Sequence, residues 1–121
     1  MKTLRIEFGF GVGQDKTGTT ISKGEYDFAK CVLSVEAAKA FGGYTWTDVH
    51  GGWIDKSDDR FFQEPAVTIA VLVPQYECGW VPDGDSPILE TLIRDFADHI
   101  KRLLNQRAVY VVRSTVDAEL Y

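Results

Sequence analysis

Residues 4–13, Leu4-Arg5-Ile6-Glu7-Phe8-Gly9-Phe10-Gly11-Val12-Gly13, decide the fold. Leu4, Ile6, Phe8, Phe10 and Val12 recur at every second position, separated by Arg5, Glu7, Gly9 and Gly11. A period of two belongs to an extended strand that turns one face to a core. The opposite face is nearly bare. Glycine weakens a strand interior unless something approaches its backbone closely. The strip Gly9 and Gly11 therefore predicts that a second subunit's sheet, the protein's own Tyr44 and Trp46, or a ligand packs against it.

Working outward from this strand, Gln14–Thr20 is polar around Gly18 and reads as a loop. Ser22 and Glu25 form an S-x-x-E capping box, with Ile21 and Tyr26 placed to staple the first helical turn. The helix should run to Phe41, with Ser34 as a point where it could break, and stop at Gly42-Gly43. Tyr44–Val49 reads as a second strand, His50-Gly51-Gly52 as a bend or bulge, and Trp53-Ile54 as resumed extended structure. After a polar turn over 56–60, Glu64-Pro65 introduces the apolar, β-branched run Ala66–Val73, which Pro74 ends. A loop over 75–85 precedes Ser86, an N-cap followed by Pro87 at the first helical position. Leu89, Leu92, Ile93, Phe96, Ile100, Leu103 and Leu104 then repeat at helical spacing. Val109–Arg113 is the last strand.

Strand, helix, strand, strand, helix, strand is the order of the ferredoxin-like βαββαβ fold. It predicts one α+β domain over 1–121: a four-stranded antiparallel sheet with two helices on one face. In that arrangement the first and third strands are central. Val67, Ile69, Val71 and Val73 would face the helices, and Thr68 and Ala70 would lie beside the glycine strip.

The composition bounds the partners. The 121 residues are 45% hydrophobic and 26% charged, as in ordinary globular domains. The net charge of −5 and the absence of a basic run argue against a nucleic-acid partner. No apolar run reaches the roughly 18–20 residues of a membrane span, and Met1-Lys2-Thr3 is followed at once by the alternating strand pattern with Arg5 and Glu7 inside it, so neither membrane nor signal peptide is expected. Cys31 and Cys78 read as free thiols of a cytoplasmic protein.

Chemistry-bearing patterns are mostly excluded. Gly9-x-Gly11-x-Gly13 is neither G-x-G-x-x-G nor a P-loop, and no cofactor is implied. No metal site is expected: His50 and His99 share no motif, and Asp55, Asp58 and Asp59 lack the calcium-loop spacing. Asp83-Gly84-Asp85 places acid before a helix N-terminus, where the helix dipole favours it. Two catalytic candidates remain. Glu64 stands at a strand entrance near Trp53, Phe61 and Phe62, which could raise its pKa; alternatively it pairs with Arg60 or Arg113. His50, close to Asp48, could act in acid–base chemistry or be a surface turn residue.

Gly43, Thr45, Gly51, Trp53, Glu64 and Pro65, with Gln106, form a Gly-x-Thr, Gly-x-Trp, Glu-Pro pattern. It resembles a signature of small, uncharacterised bacterial and phage proteins. The resemblance implies a plait-like fold, possible oligomers and a nucleotide-like metabolite as ligand class.

Three functions stay open. The first is an oligomeric small-molecule binding protein, using the bare sheet face or a cleft, with Arg5, Gly9, Gly11, Tyr44, Trp46, Trp53 and Thr68 as ligand-binding candidates. The second is an interaction or inhibitor module acting on a protein partner through sheet faces or edges. The third is a small enzyme using Glu64 or His50. The first is preferred, and an enzyme is the least favoured of the three.

Overall fold

The computed structural model describes residues 2–55, 57, 59–81, 84 and 86–119, and for 53–55 and 60–63 the backbone alone. The chain forms β1 (Lys2–Gly11), α1 (Lys23–Phe41), β2 (Thr45–Asp55), β3 (Arg60–Pro74), a 3₁₀ turn (Glu77–Gly79), α2 (Pro87–Leu103) and β4 (Tyr110–Asp117). The sheet order is β2-β3-β1-β4 with antiparallel neighbours throughout. This is the ferredoxin-like arrangement, with β1 and β3 in the middle.

The alternation in β1 sets the core. Ile6 and Phe8 are fully buried, as are Val67 and Ile69 of β3, Leu33 of α1 and Ile100 of α2. Phe8 packs edge-on to Phe96 at 4.8 Å between centroids and lies 6.0 Å from Phe41, so one aromatic cluster ties β1 to both helices. Such contacts add about 0.5–1.5 kcal/mol each beyond the area they bury. In α2, Leu89, Ile93, Phe96 and Ile100 make the buried stripe. Arg113 of β4 grips Glu90 of α2 through two hydrogen bonds of 2.5 and 3.1 Å, fixing that helix over the edge strand.

The helix ends follow the sequence. The Glu25 N–H donates to Ser22 Oγ at 3.1 Å, and Leu89 N–H donates to Ser86 Oγ at 3.3 Å with Pro87 opening α2. Gly42 ends α1 in the left-handed region (φ 84°) and donates to the Ala38 carbonyl at 2.9 Å. Ser34 does not interrupt α1, which is continuous from Lys23 to Phe41.

Two expectations fail in the β2–β3 hairpin. Gly51 and Gly52 make no bulge: they pair with Glu64 and Gln63 in the same register that joins Thr45 to Ala70 and Asp55 to Arg60. The third strand also begins at Arg60 rather than Ala66, so Glu64-Pro65 lies inside it. Proline is tolerated there because the Pro65 carbonyl, accepting from Val12 N–H at 2.9 Å, points to the β1 side. Its missing N–H points the same way, just past the end of β1, and no bond to β2 is lost.

Lys56 and Asp58 of the polar turn, and Asp83 and Asp85 of the acidic loop, lie outside the described residues. Cys31 and Cys78 are free thiols. Among the described residues no helix is long and apolar enough to cross a membrane.

Candidate functional site

The face of the sheet away from the helices is open. Gly9 pairs with Thr68 on one side and Tyr110 on the other, and Gly11 pairs with Ala66. With a central strand lacking side chains at both positions, the sheet sinks into a trough of about 510 Å³. Its lining includes Gly9, Gly11, Val49, Gly51, Glu64, Ala66, Thr68, Gln106 and Tyr110.

The Glu64 carboxylate lies on the glycine floor. A Cβ at Gly11 would meet Glu64 Oε1 at 2.5 Å and Cδ at 2.8 Å, so only glycine leaves room for this placement. The position follows from the long β3: continuing past Ala66 with unchanged alternation, it turns Glu64 to the same face as Thr68. Among the described residues Glu64 has neither a hydrogen bond nor an ion pair. Of the two expected partners, Arg113 is engaged by Glu90, and the Arg60 side chain lies outside the described residues. Across Gly9 stands Tyr110, with Cβ 3.9 Å from where a Gly9 Cβ would be and with 77% of its surface exposed.

The other candidates disperse. Arg5 lies further along the open face, opposite Leu72 and Ser114, and donates to Glu7 Oε1 at 2.8 and 3.0 Å. Tyr44 lines a separate hollow with Gly43, Thr45, Ala70, Leu72 and Glu77. Trp46 sits on the helix side, against the expectation that it lines the cleft: it is partly buried against the core and edge-on to Phe10 and Tyr26. Its Nε1–H donates to the Tyr26 hydroxyl at 3.1 Å, and Lys30 Nζ stands 5.5 Å from its ring centroid. The reason is register, since Trp46 pairs with the inward-facing Ile69. His50, opposite Pro65, faces a hollow with Ser22, Lys23, Tyr26 and Asp48 and is absent from the trough lining. Trp53 pairs with Phe62 through its backbone, and its side chain lies outside the described residues.

Two further clusters carry charge. Tyr26 donates to Asp48 Oδ1 at 2.5 Å; burial and this bond push the phenol above its usual pKa. Asp15 accepts from the Thr17 hydroxyl at 2.6 Å and from the Thr17 and Thr19 amides and Asn105, and its pKa falls to about 2. No group of three or more potential metal-ligating side chains occurs among the described residues.

Sequence reasoning placed Gly9, Gly11, Thr68 and Glu64 among the candidates but missed Val49 and Tyr110 as walls. The β1–β4 pairing implied by the βαββαβ order could have found Tyr110, because the last strand must flank β1 across from β3.

No protein-family profile and no curated protein sequence matches the chain. Solved structures do. A phage SAM lyase in complex with S-methyl-5'-thioadenosine shares the fold at 15% identity and a TM-score of 0.53, over 99% of this chain and 92% of that one. The divalent cation tolerance protein CutA from Archaeoglobus fulgidus gives 9% identity and a TM-score of 0.51, over 99% and 88%. A Bacillus cereus protein related to NIF3 gives 9% and 0.52, over 97% of this chain and 26% of that one. At such identities the likeness concerns the ferredoxin-like fold.

Proposed function

We propose that this protein binds a small, nucleoside-like molecule in the trough of its open sheet face, within a homo-oligomer that helps to cover that face. The observation that carries this reading is the Glu64 carboxylate held over Gly11, beside Thr68 and Tyr110. A concave, largely apolar hollow with a few polar groups is the usual form of a small-molecule site. The phage SAM lyase of the same fold, in complex with S-methyl-5'-thioadenosine, supports a nucleoside as the first ligand class to test. Fold likeness alone does not assign function, so the weight rests on the trough. A bacterial or phage origin and a cytoplasmic location belong to the same reading, and the two free thiols suit a reducing compartment.

Native mass spectrometry of freshly purified protein, followed by titration with adenosine and S-methyl-5'-thioadenosine, tests it. A defined oligomer that retains or takes up a nucleoside, with a raised melting temperature, is the expected outcome. A bare monomer indifferent to both ligands would remove the reading.

A second reading is favoured by the same carboxylate. Without a protein partner among the described residues, Glu64 is free to move a proton to or from a bound molecule. Any turnover detected should then fall by about 10²-fold or more in Glu64→Gln, and full retention of turnover would exclude Glu64 as acid or base. The apolar residues exposed on the open face also suit a protein partner, which capture experiments on the ligand-free protein would reveal.

A further inference from the structure

The trough has an imbalance of charge that narrows the ligand beyond a nucleoside. Among the described residues its lining contains one charged side chain, Glu64, and no Lys, Arg or His. Arg5, on the same face, holds Glu7, Arg113 turns to the helix side and holds Glu90, and Arg107, between the lining residues Gln106 and Ala108, is not itself part of the lining. The Gln106 amide, a possible donor in the lining, is already spent on the Gln14 and Leu104 carbonyls at 2.9 and 3.2 Å. A ligand that covers this carboxylate removes it from water, and that is costly unless the ligand brings an opposite charge or donors.

We infer that the ligand of this trough carries a positive charge, such as a sulfonium or ammonium centre, seated between the Glu64 carboxylate and the Tyr110 ring. This rests on the trough being the binding site. The two groups rise on either side of the bare β1 floor, Glu64 against Gly11 and Tyr110 against Gly9. A cation between them gains a charge-assisted contact with the carboxylate and the attraction of an aromatic face. The same lining disfavours phosphorylated nucleotides: among the described residues it offers no cation to a phosphate, it places a carboxylate beside it, and it belongs to a chain of net charge −5.

Two adenosine compounds that differ at sulfur separate the possibilities. S-Adenosylmethionine carries a sulfonium, S-adenosylhomocysteine, which lacks only its methyl group, a neutral thioether, and adenosine 5'-monophosphate serves as the anionic comparison. In calorimetric titration of the full chain, the sulfonium compound is expected to bind on the order of ten- to hundredfold more tightly than the thioether. Adenosine 5'-monophosphate should bind more weakly than either. In Glu64→Gln, which keeps the shape of the side chain, the preference for the sulfonium should disappear while binding of the thioether persists. Raising the salt concentration should weaken only the sulfonium compound. Equal binding of both compounds by the native protein, or an undiminished preference in Glu64→Gln, overturns the cation while leaving the nucleoside site standing. No binding of any of the three overturns the site itself. An unchanged melting temperature for Glu64→Gln, or the same loss of preference in Glu64→Ala, ties the effect to the charge.

Discussion

At the scale of single residues, the two glycines of β1 do different work although they look alike in sequence. A Cβ at Gly9 would rest 3.9 Å from the Tyr110 Cβ, an ordinary contact, whereas at Gly11 it would strike the Glu64 carboxyl group at 2.5 Å. What Gly11→Ala displaces is the far end of a flexible side chain, so the backbone is not forced to move. Gly11→Ala should therefore fold with a melting temperature close to native but bind the trough's ligand about tenfold or more weakly, since Glu64 is pushed off the floor. Gly9→Ala should fold at least as stably, because alanine loses less backbone entropy than glycine in a strand by roughly 0.5–1 kcal/mol, and should bind within a few-fold of native. Thermal melts with calorimetric titration of both variants check this, and equal binding loss in the two would contradict the role given to Gly11. The glycine strip was legible from the alternation alone. What approaches it was not, because the Glu64 position depends on β3 starting well before the apolar run that announces it.

At the scale of elements, caps and periodicity were readable because their signals are local. Ser22 and Ser86 cap as their spacing implied, and the stripe of α2 is the one drawn from its sequence. The β2–β3 hairpin was misread because glycine and proline are ambiguous without their neighbours. Gly51 and Gly52 permit a bulge but do not require one, and Pro65 ends pairing only where its missing N–H would face a partner. At Gly42 the local reading yields a number. Its φ of 84° is one that side chains rarely adopt, and a Cβ added there would meet no atom within 4 Å, so the cost of substitution is conformational. Gly42→Ala should lower stability by about 1–2 kcal/mol, and Ser22→Ala by about 1 kcal/mol. Urea unfolding with an unchanged slope would measure both, and a neutral Gly42→Ala would show that the end of α1 refolds around the new side chain.

At the scale of the whole molecule, two features govern solution behaviour. The first is the tie between the loop after β1 and the end of α2, made by Asn105 Nδ2 to Asp15 Oδ2 at 3.2 Å and Lys16 N–H to the Asn105 carbonyl at 2.8 Å. The Asp15 pKa falls from 3.8 to about 2 on folding. A depressed carboxyl stabilises the fold above the unfolded value and loses that contribution as pH drops through the folded one. The melting temperature should thus fall between about pH 4 and pH 2, and Asp15→Asn should flatten that segment; a profile identical in the two proteins would dissociate the loop from acid sensitivity. The second feature is the open face. Leu72 is 48% exposed, Val112 55% and Tyr110 77%, on a face where Arg5 and Glu7 neutralise each other. Exposed apolar groups on one flat sheet favour burial by association, and the neutral pair spares this face the repulsion that a net charge of −5 otherwise imposes between copies. If copies meet through this face, Leu72→Asp with Val112→Asp adds like charges to both sides of the contact. The pair should dissociate the assembly to monomers in light scattering while leaving the far-ultraviolet circular dichroism unchanged, because neither side chain belongs to the core. Ligand affinity should fall with it if a second copy helps to wall the trough. An undiminished oligomer would move the assembly surface to the free edges of β2 and β4, and the trough would then have to close over its ligand unaided.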